Sequence, residues 1–219
     1  MPIKKSVNAN FDYRKALEKL YQTLAETFDD DFTYRSGDPK DKPMNEVKDG
    51  KELWKFIPCT YDSEFLAKIE KVNKIKLPPP YKQYLLSCHH SMGHFLGFNS
   101  ISDPANLRNC SRYRLLVQLG YIPLGTDPYE RDIFCLKRRK TSATGEYSVY
   151  VIESKYYYMA LEMGDAMEYG KDAFYEYNYG DWEESPEDIL RSGLMKIASS
   201  LSEFITYLSD KENLEDYII

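Results

Sequence analysis

Apolar positions recur along this chain with two periods. From Tyr13 to Phe28 they fall at Tyr13, Ala16, Leu17, Leu20, Tyr21 and Leu24, which lays one stripe on a helix, with Asp12 as its N-cap. Asp29 to Gly50 reads as loop, with Asp29-Asp30-Asp31, Gly37 and two prolines. Leu53 to Pro58 is short, aromatic and extended. A second helix begins at Ser63, capped by Asp62 or Ser63, with Phe65, Leu66, Ile69 and Val72 on one side. Leu77-Pro78-Pro79-Pro80 fixes a turn into a third helix, where Tyr81, Tyr84, Leu85 and Cys88 face one way.

The period shortens after Gly93. His94 to Phe98 is strand-like, and Arg112 to Leu119 is a short helix stopped by Gly120. Three strands follow at Tyr121 to Leu124, Asp132 to Leu136 and Tyr147 to Ile152, with antiparallel pairing of the last two. Along the third, Tyr147 and Val149 face one way and Tyr150 the other. Leu194, Ile197, Ala198, Leu201, Phe204, Ile205 and Leu208 form one helical seam. Helices first, strands next and a helix last predict an α+β fold. Its antiparallel sheet of about four to six strands is flanked by N-terminal helices and a long C-terminal helix. Residues 1–60 form an N-terminal extension of one helix and a polar loop, and residues 61–219 form the α+β domain.

Composition narrows the function. The chain has 219 residues, 42% hydrophobic and 29% charged, enough for a packed core. A net charge of −6 opposes broad binding to nucleic acid or anionic lipid. Cys59, Cys88, Cys110 and Cys135 include no C-x-x-C pair and read as reduced thiols of a cytosolic protein. There is no signal-peptide pattern and no run of roughly 20 apolar residues, so a cytoplasmic location without membrane contact is expected.

Catalytic patterns are missing. Neither a glycine-rich phosphate loop nor a G-x-S-x-G elbow occurs, so no catalytic residue and no cofactor are expected. The feature that favours an enzyme is His89, His90 and His94. Two imidazoles four apart on a helix suit a metal, which makes a metal-dependent hydrolase the alternative. Against it, Gly93 intervenes and Ser91 stands where an H-E-x-x-H motif has glutamate. The basic run Lys137-Arg138-Arg139-Lys140 reads as a solvated hairpin end.

Charge is concentrated instead between Glu146 and Asp188. Twelve acids there oppose Lys155 and Lys171, a net of −10 that leaves +4 for the rest. Nine of the chain's 20 tyrosines share the stretch, with Phe174 and Trp182. Such a segment suits a basic partner, because carboxylates steer encounter and desolvated rings hold it. The same rings also describe a sheet with one wet face. The partner-binding candidates are Asp165, Glu168, Asp172, Glu176, Tyr177, Tyr179, Trp182 and Glu183.

Several segments together resemble the SUKH superfamily, the Smi/Knr-like proteins. Glu70 precedes Leu77-Pro78 and the Tyr81-Lys82 helix. Tyr121-Ile122-Pro123-Leu124-Gly125-Thr126-Asp127 is similar to the family's isoleucine-proline strand and its glycine-x-aspartate turn. Asp132 to Leu136 and Tyr147 to Ile152 resemble its next strands, and Ser200 to Leu208 its closing serine-x-x-glutamate-phenylalanine helix. The resemblance spans roughly residues 62 to 209. His89 to His94 replace the family's asparagine-glycine-glycine-like turn, and the first 60 residues and Tyr156 to Trp182 lie outside the pattern.

The resemblance implies a binding module without catalysis. Most members are bacterial immunity proteins that neutralise a cognate toxin, often a nuclease. A smaller group regulates cell-wall assembly, which makes a regulatory scaffold a further alternative. The expected partner is a basic protein toxin, such as a nuclease, met by a monomer or weak homodimer.

Overall fold

The computed structural model describes residues 11–27, 46–48, 51–53, 59, 62–87, 94–95, 98–100, 113–126, 131–140, 146–169 and 184–218. Helix α1 (Tyr13–Thr27) comes first, then a small antiparallel pair, β1 (Glu46–Lys48) and β2 (Lys51–Leu53). Helices α2 (Ser63–Asn73) and α3 (Pro79–Ser87) follow, then β3 (His94–Phe95), β4 (Phe98–Ser100) and the short α4 (Arg114–Gln118). The centre is β5 (Tyr121–Thr126), β6 (Asp132–Lys137) and β7 (Val149–Glu153). Then come α5 (Ser154–Tyr169), α6 (Pro186–Gly193), β8 (Met195–Ala198), α7 (Leu201–Leu208) and α8 (Lys211–Ile218).

Strands β3 to β8 form one six-stranded sheet in sequence order, every neighbouring pair antiparallel. The α+β class read from the sequence is therefore observed. Both faces of the central strands are covered, which explains their nearly unbroken apolar runs. On one face Ile122, Leu124, Phe134, Leu136, Val149 and Val151 pack against α1, α3, α7 and α8 through Leu17, Tyr81, Phe204 and Leu214. On the other, Tyr121, Ile133, Cys135 and Ile152 pack against α4, α5 and α6 through Leu116, Tyr157, Met163 and Leu190. The alternation expected along β7 holds: Tyr147 and Val149 join the first core, Tyr150 the second. Helix α1, from the first 60 residues, is part of the first core, with Tyr13, Leu17 and Leu20 buried.

Helix starts follow their caps. Asp62 accepts a hydrogen bond from the Phe65 N–H at 2.7 Å, and Asp12 one from the Lys15 N–H at 3.1 Å. The stop at Gly120 is also observed, with φ at 90°, a conformation that costs any side chain. Its carbonyl accepts from the Arg138 N–H at 2.8 Å, and the Arg138 guanidinium donates to the Val117 carbonyl at 3.1 Å. Gly120→Ala is expected to cost about 1–2 kcal/mol in chemical denaturation, from left-handed strain alone.

The long C-terminal helix is not what forms. Residues 195–198 make strand β8, and the helix starts only at Leu201. The reason lies in two polar side chains. Ser200 is extended, and its hydroxyl accepts from the Glu203 N–H at 3.1 Å. The Glu203 carboxylate reaches back to accept from the Ser199 N–H at 2.6 Å. This reciprocal cap fixes the helix start and leaves the preceding residues to pair with β7. Ser200→Ala is expected to lower stability by about 1 kcal/mol, read as a shifted denaturant midpoint. The single strand expected at His94 to Phe98 is instead split between β3 and β4.

Candidate functional site

The acidic, tyrosine-rich stretch begins just before β7 and includes β7, α5 and the start of α6. The structure divides its residues between core and surface. Tyr157 is wholly buried, 5.6 Å from the Tyr113 ring, and Tyr150 meets Tyr121 edge-on at 5.3 Å. These rings serve packing. Burial and the neighbouring Cys135 push the Tyr121 phenol up to about 12. Cys135 itself is fully buried, and desolvation drives its thiol far above the usual range, so it is inert as a nucleophile.

Several acids of the stretch are also engaged within the molecule. The Arg114 guanidinium donates to Asp165, tying α4 to α5. The Asp165 side chain, a partner-binding candidate, stays 26% exposed beside that contact. Asp188 closes a capping box with Ser185 at the start of α6, and that hydrogen bonding holds its carboxyl below the usual range. Glu187 pairs with Arg191 one turn later. Glu168 lies in the last turns of α5. Asp172, Glu176, Tyr177, Tyr179, Trp182 and Glu183 lie outside the described residues, in the segment that joins α5 to α6. Those two helices pack on the same face of the sheet.

Of the histidines, His89 and His90 lie outside the described residues, and His94 opens strand β3. His90 and His94 thus do not share one helix, the arrangement on which their spacing argument depends. Among the described residues no group of three or more histidines, cysteines or acids could hold a metal ion. No described helix is long and apolar enough to cross a membrane.

The basic run has a local explanation. Lys137 lies over the half-buried Tyr150 ring at 5.7 Å and Lys140 over the half-buried Tyr147 ring at 5.8 Å.

No protein-family model, curated protein or solved structure matches this chain. The family resemblance therefore rests on its own residues, and the structure gives several of them a supporting role. The Glu70 carboxylate accepts from the Leu77 N–H at 2.7 Å and from Lys82 at 2.9 Å. It locks the turn between α2 and α3.

A cleft of about 920 Å³ opens where β6, β7 and β8 meet the ends of α5 and α6. Sequence reasoning missed it. Strand register builds its floor: Asp132 faces Glu153 directly across β6 and β7, and Val151 faces Met195 across β7 and β8. By alternation from Phe134 and Val149 all four project from the sheet face that α1 and α7 cover, whereas α5 and α6 cover the other. Tyr156 also lines it, held against Gly193, where an added Cβ would lie 3.1 Å from the tyrosine's Cβ and Cγ. Ser192 and Arg131 complete the lining. Met195 is 62% exposed, the one large apolar side chain among the described residues left open to water. Lys155 bonds Glu153 at 2.5 Å and lies over the Tyr156 ring at 4.9 Å. That bond raises the Lys155 pKa above its ordinary value.

Proposed function

We propose that this chain is an immunity-type binding protein that neutralises a basic protein toxin, such as a nuclease, by stoichiometric association and without catalysis. The observation that carries the reading is the net charge of −10 between Glu146 and Asp188, set among nine tyrosines, in a chain that is otherwise net positive. A toxin that binds nucleic acid needs a cationic surface, and an acidic face competes for that surface. The ordered resemblance to the SUKH superfamily supports the same reading. Cys135 is buried with a raised pKa, and Glu70, Asp165 and Asp188 are engaged within the fold. Action in the cytoplasm and as a monomer or weak homodimer belongs to the proposal.

The test is coexpression in a heterologous host with the toxin domain encoded beside its gene. Growth should be rescued, and the two chains should co-purify as a 1:1 complex. Absence of such a toxin gene, or of rescue at matched expression, would overturn the proposal. Replacing Asp172, Glu176, Asp181 and Glu183 together by their amides should weaken binding at least tenfold at low salt, because rate and affinity both draw on their field.

A further inference from the structure

We infer that two copies of this chain meet end to end in a weak two-fold dimer, the basic β6–β7 hairpin end of each set against the acidic entry to α6 of the other. The contact covers part of the acidic stretch. In the immunity role, on which this consequence rests, toxin and second copy therefore compete for one face.

The first observation is a group of cations that the fold leaves unneutralised. Strand β6 ends in Lys137, and Arg138, Arg139 and Lys140 follow it. Lys196 joins them from β8, as the cross-strand partner of Tyr150, the ring over which Lys137 lies. Arg139, Lys140 and Lys196 are exposed. Arg138 is tied to the Val117 carbonyl. Among the described residues no carboxylate pairs with Lys137, Arg139, Lys140 or Lys196. The ring contacts of Lys137 and Lys140 leave their charge in place. Cations gathered at one sheet end repel one another, and an anion brought among them removes that cost.

The second observation places acids at the same end. Helix α4 leads through Gly120 into Tyr121, the cross-strand partner of Lys137. Arg114, at the start of α4, bonds Asp165 of α5. The adjacent Gly164 meets α6, where an added Cβ would lie 4.0 Å from the Pro186 ring. Glu184, two residues before Pro186, is exposed and has no ion-pair partner among the described residues. Basic and acidic groups thus share one end of the molecule. A two-fold axis through that end sets each against its opposite, which closes the pair and stops further growth.

A second copy suits the patch better than nucleic acid does. Charge complementarity is built into this one sequence: Glu146 to Asp188 carry a net of −10, and the rest of the chain sums to +4. Bases need open ring faces on which to stack, and lysines already lie over Tyr147 and Tyr150. Because the contact joins exposed charges, it is weak and screened by salt.

The experiment is sedimentation velocity of the full chain at rising concentration, in ~20 mM and ~500 mM sodium chloride. At low salt the chain should pass from monomer to dimer and no further, and at high salt it should stay monomeric. Arg139→Glu with Lys140→Glu should weaken the dimer about tenfold or more, and Glu184→Lys should weaken it severalfold, with unchanged melting temperatures. The two variants mixed should form a heterodimer tighter than either homodimer, because every basic group then meets an acid again. A monomer at every concentration, open-ended growth, a dimer indifferent to salt, or a mixture no tighter than its parts would overturn the proposal. So would a single-stranded oligonucleotide that binds through Arg139 and Lys140 in place of a second copy.

The neighbouring toxin separates this inference from the broader one. Added in equal amount, it should dissolve the dimer into 1:1 complexes, and toxin binding that leaves the dimer whole would overturn the competition. If the toxin binds a chain that is monomeric throughout, the dimer is wrong and the binding function stands. If the dimer forms and the toxin does not bind, the dimer stands and the function fails.

Discussion

Phe204→Ala is expected to cost about 3–5 kcal/mol and to leave the protein largely unfolded near body temperature. Phe204 is 2% exposed and its ring lies 5.6 Å from that of Phe134, so it joins α7 to β6, one of the two central strands of the sheet. Around it, Leu201, Ile205 and Leu208 meet Leu17, Leu20 and Tyr81 from helices α1 and α3. Truncation opens a cavity that four separate elements cannot close together. The measurement is a urea titration followed by circular dichroism. A loss under 1 kcal/mol would show that this face of the sheet is not packed as described.

Glu70→Gln is expected to be the second large effect, about 2–4 kcal/mol at neutral pH. Glu70 is 6% exposed and accepts from Leu77 and Lys82, with Lys76 at 3.8 Å. Burial alone would raise its pKa. The Lys82 hydrogen bond, the Leu77 N–H and the two lysine charges outweigh burial and hold the carboxyl below the ordinary value. The sign of the pH dependence follows. A carboxyl with a depressed folded pKa contributes stability above its unfolded pKa, about 4.3, and loses it as pH falls through the folded value. The native chain should therefore lose stability on acidification below about pH 4.5 more steeply than Glu70→Gln. Parallel profiles would mean that Glu70 carries no net charge interaction in the folded state.

The two periods in the sequence were enough for much of this fold. Helices α1 and α2 announce themselves by stripe and aspartate cap, and the antiparallel pairing of β6 and β7 follows from two apolar runs around one polar turn. Strand β8 was hidden because Leu194, Ile197 and Ala198 happen to sit three and four apart, in phase with the true helix beyond them. The deciding signal was Ser200 with Glu203, a start marker inside an apparent helix. Helix α5 was hidden differently: its acids and tyrosines drew the eye to a surface, while Tyr157, Ala160 and Met163 were already spaced as a buried stripe.

The candidate site was only partly legible. Charge clustering is a property of the chain and survives folding, so the acidic stretch could be found. Whether a given acid is open depends on partners distant in sequence, as Arg114 is from Asp165. The cleft has no local signature at all. Asp132 and Glu153 are 21 positions apart, and only counting outward from the turn between β6 and β7 sets them face to face.

The central claim is that the chain acts by occupying a basic protein, one molecule for one. Calorimetric titration of the full chain into the neighbouring toxin tests it most directly, with residual toxin activity read at each point. The account predicts a single transition at a molar ratio of one, activity lost in proportion to bound chain, and affinity that falls steeply as salt rises. Inactivation complete at a small fraction of equivalence would reveal turnover and contradict it.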